Sequence, residues 1–157
     1  MTRRLLLLLL TSFVAGLAFA SGAVAGDNEI RLGIKGYDPV AYFTMGRPVQ
    51  GKPEFRHDLD DVRYHFASAK HLAIFSKDPD HYAPRFQGLC AMGLGAKGYM
   101  VEANPQNWVI HEGRLYVTQA SYGPAAFRKD PKRWAASAEQ NLLALKGSPI
   151  GAGLSWW

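Results

Sequence analysis

The stretch YHFASAKHLAIFSKDPDHYA, residues 64–83, resembles the stretch YVTQASYGPAAFRKDPKRWA, residues 116–135, which lies 52 residues later. We call this similarity the echo. Seven of the 20 positions are identical. In both copies Lys-Asp-Pro ends a helix, since proline cannot continue it, and the aromatic residue that follows anchors the turn to the core. The echo predicts two related β-β-α units that share one core, too few for a solenoid.

A β-hairpin precedes each predicted helix. Residues 55–66 alternate apolar and polar around a turn at Asp60-Asp61, which is typical of a half-buried antiparallel pair. On the apolar face this turn pairs Leu59 with Val62, His57 with Tyr64, and Phe55 with Phe66. The second hairpin runs from Trp108 to Val117 and turns at Glu112-Gly113, which pairs Trp108 with Val117 and Ile110 with Leu115.

The helices complete the predicted domain. Ser68 caps the first one, and a second helical region from Tyr122 to Leu145 is interrupted at Asp130-Pro131. The fold class is therefore α+β: two antiparallel β-hairpin units, each followed by a helix, packed as one small domain. We place this domain at residues 26–145. Residues 146–157 follow as a C-terminal tail that is either mobile or docked on the body or on a partner.

Residues 1–25 have the pattern of an export signal. Arg3 and Arg4 precede an apolar stretch, and Ala23-Val24-Ala25 is a small-x-small cleavage site. The uninterrupted apolar run is about 15 residues, below the roughly 20 needed to span a bilayer. We therefore predict cleavage after Ala25 and a periplasmic or secreted location, with no stable membrane insertion afterwards. The alternative is an uncleaved membrane anchor.

Composition and charge exclude several classes of protein. The chain is 48% hydrophobic and 20% charged, which is ordinary for a globular domain and excludes a disordered or collagen-like chain. A single cysteine excludes an internal disulfide and a zinc site built from several thiolates. The net charge is +5, but Arg3 and Arg4 lie in the predicted leader. The remaining excess of +3 is small and scattered, so we expect no nucleic acid partner. No pattern identifies a protein partner.

Cys90 is the first candidate functional residue. It lies in the segment Gly88-Leu-Cys-Ala-Met-Gly93, whose glycines allow the backbone to approach another group closely. Cys90 and Met92 are soft ligands of the kind that Cu(I) prefers, and on an extended segment they would point the same way. The alternative from the residues alone is a small, buried apolar cysteine. A catalytic thiol would in addition need a nearby base.

Two histidines are further candidates for metal ligands. The hairpin pairing places His57 on the apolar face, where a neutral imidazole needs either a hydrogen-bond partner or a metal. His71 lies within the first predicted helix. No pair of histidines has the His-x-x-x-His spacing of a helical zinc site. A hydrogen-bonded core histidine is the alternative for His57.

Four motifs in this order resemble the exported YHS domain-containing proteins: GYDPVAYF at 36–43, YHFAS at 64–68, FSKDPDHYAP at 75–84 and GLCA at 88–91. The resemblance runs from Gly33 to Leu145 and implies the fold given above and export. Shorter YHS modules carry three cysteines suited to heavy metals. Those positions are here Ala41, Ala67 and His71, so the resemblance implies a ligand role for His71 alone.

These observations predict an exported binding domain rather than an enzyme. We expect its ligand to be a soft transition metal, copper before zinc, that is captured or carried. Cys90 would be the anchor, with Met92, His57 and His71 as lesser candidates. Two alternatives are open: a thiol-dependent redox protein that uses Cys90 with a histidine base, and a structural or interaction module without metal.

Overall fold

The computed structural model describes residues 30–153, so the predicted leader and the last four residues of the tail lie outside the described residues. Its strands are β1 (Arg31–Leu32), β2 (Lys52–Leu59), β3 (Val62–Phe66), β4 (Asn104–His111) and β5 (Arg114–Thr118). Its helices are α1 (Pro39–Thr44), α2 (Ala69–Lys77), α3 (Pro79–Tyr82), α4 (Gly123–Lys129) and α5 (Pro131–Ala144). The predicted α+β fold class is confirmed.

Each hairpin forms its own small sheet. The first sheet has the order β1-β3-β2, with β1 parallel to β3 and β2 antiparallel to it, and the second consists of β4 and β5. The pairs nearest each predicted turn are confirmed: Leu59 with Val62, His57 with Tyr64, Trp108 with Val117, and Ile110 with Leu115.

The pairing of Phe55 with Phe66 is wrong. A bulge lies between Lys52 and Arg56, so that Lys52 stands opposite Phe66. Pro53 lies within the bulge, and proline has no N–H group to donate to a ladder. The residues between Lys52 and Arg56 are therefore outside the regular pairing with β3.

The duplication extends further towards the N-terminus than the sequence echo. We call residues 34–83 the first unit and residues 86–135 the second unit. Ile34 and Lys35 have φ values of 41° and 52°, and Phe86 and Gln87 both have φ of 57°. Gly36 and Gly88 follow with φ of 78° and 76°, a conformation that glycine adopts at little cost. Each unit therefore begins with the same left-handed turn.

Backbone pairing repeats at the same offset of 52 residues. The bridge between Tyr37 and Gln50 corresponds to that between Leu89 and Glu102. The β2 bulge returns in β4, between Asn104 and Trp108. The N–H of Asp38 donates to the carbonyl of Val49, and the N–H of Cys90 donates to that of Val101, both at 2.9 Å. The hairpin pair His57–Tyr64 likewise corresponds to Val109–Tyr116. Both units thus have one backbone plan.

The core consists of two apolar clusters, which corrects the prediction of a single shared core. Phe75 of α2 is at the centre of the first cluster and Phe127 of α4 belongs to the second, and both are fully buried. Strand β5 joins the clusters, because Leu115 and Val117 face the first and Tyr116 faces the second. Alternate side chains of a strand point to opposite faces, so one strand packs on both.

The described part of the tail docks on the body. The N–H of Gly151 donates to the carbonyl of Met100 at 2.7 Å, and the N–H of Met100 donates to the carbonyl of Ala152 at 2.9 Å. Ala152 also packs against the second cluster. Within residues 30–153, none of the helices has the length and apolar character that crossing a membrane requires.

The repeated Lys-Asp-Pro motif generates the first prediction. Asp78 and Asp130 have nearly the same backbone angles, and each accepts the N–H three residues on, that of His81 at 3.1 Å and that of Arg133 at 3.3 Å. We expect Asp78→Ala and Asp130→Ala each to lower the free energy of unfolding by about 1 kcal/mol, because each removes an N-cap.

Urea denaturation followed by circular dichroism measures both changes. Lys132→Ala, an exposed substitution beside the second cap, serves as the control and should change stability by less than about 0.5 kcal/mol. Equal stability of wild type and both cap variants would contradict the expectation.

Candidate functional site

Asp38 is a fully buried carboxylate at the N-terminus of α1. Its Oδ1 accepts the N–H groups of Val40 at 2.9 Å and Ala41 at 3.3 Å. Its Oδ2 accepts the N–H of Ala67 at 2.8 Å and a ring N–H of His71 at 2.6 Å. One side chain therefore joins α1, the end of β3 and α2, and its buried charge is compensated by four donors.

His71 is oriented by this carboxylate. Its Nδ1 donates to Asp38, so Nε2 of the neutral ring is left as an acceptor. The Thr44 hydroxyl lies 3.4 Å from that Nε2, and the imidazole side chain is 13% exposed. An imidazole fixed in this way can accept a proton or ligate a metal through its second nitrogen. The sequence indicated His71 but not its partner Asp38.

Tyr42 lies beside this pair and is a structural group. Its hydroxyl donates to the carbonyl of Pro105 at 2.9 Å, which links α1 to β4. Burial, and then the neighbouring Tyr37 and Asp38, raise the pKa of Tyr42 well above its ordinary value. The phenol is therefore neutral at physiological pH and acts as a hydrogen-bond donor.

Cys90 is 4% exposed, and its sulfur accepts two backbone hydrogen bonds. The N–H groups of Gly93 and Gln119 each lie 3.2 Å from Sγ. After the left-handed turn only Leu89 and Cys90 lie in β-bridges. The chain turns helical immediately after Cys90, since the N–H of Leu94 donates to the Cys90 carbonyl. Met92 is therefore in the first helical turn, and strand alternation does not set its direction relative to Cys90.

Cys90 occupies in the second unit the place that Asp38 has in the first. Both residues follow the left-handed turn of their unit. Asp38 accepts the N–H groups of Ala41 and Ala67. Cys90 accepts those of Gly93 and Gln119, which lie 52 residues further along the chain. In the first unit these donors bind a carboxylate. We call each pair of N–H groups the cradle of its unit. The second cradle is directed at the sulfur of Cys90.

The sequence contained a signal for this correspondence. Gly36 and Gly88 are 52 residues apart, as are the repeated Lys-Asp-Pro motifs, and extending the echo to them aligns Asp38 with Cys90. Aspartate and cysteine differ in side-chain chemistry. The two positions correspond because they accept equivalent backbone N–H groups.

His57 lies apart from both Asp38 and Cys90. Its Nδ1 is 3.3 Å from the Ser76 hydroxyl, and its ring packs edge-on against Phe75 with centroids 5.3 Å apart. The fold thus gives His57 a hydrogen-bond partner. The described residues do not bring Cys90, His57 and His71 together, and between Ile30 and Gly153 no cluster of three or more His, Cys, Asp or Glu residues could hold a metal ion.

Comparison with family models, curated proteins and solved structures finds no match to this chain. The resemblance to exported YHS domain-containing proteins therefore stays a prediction.

Comparison of the two units predicts that Asp38 contributes more to stability than His71 does. Asp38→Ala leaves buried N–H groups without an acceptor, and we expect it to lower the free energy of unfolding by about 3 kcal/mol or more. His71→Gln should cost about 1 kcal/mol or less, because the second unit forms its cradle with Gly123 at the position of His71. Urea unfolding measures both. Similar losses in the two variants would show that the imidazole is also structural.

Proposed function

We propose that this chain is an exported binding domain that captures or carries a soft transition metal, Cu(I) before Zn(II), through the thiolate of Cys90. The observation that carries the proposal is the cradle around the sulfur. Two backbone N–H groups point at Cys90 where the first unit directs the same two groups at the Asp38 carboxylate.

The cradle is compatible with a sulfur that ligates a metal. Cysteine binds metals as the thiolate, and the two backbone N–H groups are directed at that sulfur. Hydrogen bonds of this kind also tune metal–thiolate centres, in which the ligand sulfur stays an acceptor for backbone donors. The buried position would keep a bound Cu(I) ion away from water and oxidants.

Met92 is the candidate for a second ligand. It is partly buried in the first helical turn after Cys90, and a thioether is a soft ligand suited to Cu(I). His57 and His71 belong to the first unit and have partners of their own, Ser76 and Asp38. We therefore assign the copper ion to Cys90 and Met92, without either histidine.

The same cradle supports a second candidate, a thiol-dependent redox function. A thiolate is also the nucleophilic form of cysteine. The third reading, a structural or interaction module, is supported by the burial of Cys90 and by its backbone bridge to Val117. Copper content and thiol reactivity distinguish the three.

Copper loading tests the proposal. We expect the mature protein, loaded with Cu(I) under anaerobic conditions and desalted, to hold close to one copper per chain by mass spectrometry. Cys90→Ser should lose the metal, because it removes the thiolate. Met92→Leu should weaken binding about tenfold in a chelator competition, the lower end of the effect of altering a metal site. His57→Gln is the matched control and should bind like wild type.

A wild-type protein without copper would contradict metal capture. In that case the rate of alkylation by iodoacetamide decides between the other readings. Alkylation faster than that of a free thiol supports the redox function. A slow reaction, with lower stability of Cys90→Ser, supports a packing role.

Export is a separate part of the proposal. Its support is the cationic start, the short apolar run and the small-x-small site of residues 1–25. When the full chain is produced in a Gram-negative host, we expect a periplasmic protein whose first residue, by intact mass, is Gly26. A membrane-bound chain that keeps the leader would instead support the uncleaved anchor.

A further inference from the structure

The duplication provides a comparison within one chain of what this fold requires. In both units a side chain after the left-handed turn accepts the two N–H groups of the cradle. Only the first unit adds His71 and Thr44, whose counterparts at the offset of 52 residues are Gly123 and Ala96. The second unit still forms its turn, cradle and helices. The imidazole and the hydroxyl are therefore additions that the backbone plan does not need.

These two additions contact each other and the buried carboxylate. Asp38 Oδ2 is 2.6 Å from His71 Nδ1, and the Thr44 hydroxyl is 3.4 Å from His71 Nε2. The imidazole therefore lies between the carboxylate and the hydroxyl. In this order a carboxylate fixes the tautomer of an imidazole, which can then accept the proton of the hydroxyl.

The exposure of the three groups follows the same order. Asp38 is fully buried and fixed by backbone donors, His71 is 13% exposed, and Thr44 is at the surface. The Thr44 hydroxyl has one proton and two acceptors, the Val40 carbonyl at 3.1 Å and His71 Nε2 at 3.4 Å. Rotation of the hydroxyl hydrogen is enough to transfer this hydrogen bond from the carbonyl to the imidazole.

We propose that Asp38, His71 and Thr44 form an acyl-transfer site for activated esters, separate from Cys90. The Thr44 hydroxyl proton passes to His71 Nε2 while Oγ1 bonds to the acyl carbonyl carbon. The bond from that carbon to the leaving oxygen then breaks, and the leaving group takes the proton from Nε2. The products are acyl-Thr44 and a free alcohol. Water then gives a proton to Nε2 while its oxygen bonds to the acyl carbon. The bond from that carbon to Oγ1 breaks, Oγ1 takes the proton back from Nε2, and the acid leaves.

The roles of the three residues differ. Thr44 and His71 would touch the reacting atoms and are the catalytic residues of the proposal. Asp38 is a positioning residue, since its contact with Nδ1 keeps Nε2 free to accept the proton. The exposed position of Thr44 leaves its hydroxyl open to an ester from solution.

p-Nitrophenyl acetate tests the proposal on the mature chain, both as wild type and as Cys90→Ser to exclude acylation of the thiol. We expect release of p-nitrophenolate and one acetyl group on the peptide that contains Thr44, located by mass spectrometry. Thr44→Val, an exposed substitution of the same shape, should leave that peptide unmodified. His71→Gln should slow its acetylation on the order of 100-fold, which is the usual contribution of a general base.

Ser121→Ala is the control, because Ser121 is an exposed hydroxyl of the second unit. In the Ser121→Ala protein Thr44 should be acetylated at the wild-type rate. The proposal is overturned if Thr44 of the wild type gains no acetyl group. It is also overturned if a folded His71→Gln protein, verified by circular dichroism, acetylates Thr44 as fast as the wild type does.

Discussion

The buried carboxylate of Asp38 is the interaction on which the first unit depends. It accepts two N–H groups at the start of α1, one at the end of β3, and the ring of His71 in α2. A buried anion without donors would cost far more than a small domain can tolerate. The four donors therefore have to lie where they do, and they fix the relative positions of three elements that are distant in sequence.

The second unit reaches the same backbone arrangement with a different acceptor. Its left-handed turn, its bulged hairpin and its cradle correspond to those of the first unit, yet the acceptor is the Cys90 sulfur. Backbone N–H groups interact with any acceptor of suitable charge and reach, so a cradle that holds a carboxylate in one unit can hold a sulfur in the other. The same backbone arrangement therefore places the one sulfur of a cysteine in this chain where the first unit has its buried carboxylate.

The differences between the units also separate structural from functional groups. Phe75 and Phe127 are both buried, and Asp78 and Asp130 are both caps, so these residues belong to the shared plan. Cys90, His71 and Thr44 lack chemical counterparts in the other unit. These three residues are where the two units differ chemically, with a sulfur in the cradle of one unit and an oriented imidazole and hydroxyl in the other.

Features that depend on neighbours in the chain could be predicted from the residues alone. Alternation and turn residues set the hairpin register close to each turn, and Lys-Asp-Pro set where two helices end, because these preferences act within a few residues. Pro53 shifted the register where the alternation alone placed Phe55 opposite Phe66.

Contacts between groups that are distant in sequence could not be predicted in this way. Asp38 and His71 are 33 residues apart, and Cys90 and the N–H of Gln119 are 29 apart. Such contacts exist only once the sheets and helices have packed. The physical reason is that a backbone donor is the same in every residue, so no residue type in the sequence marks where a cradle will form.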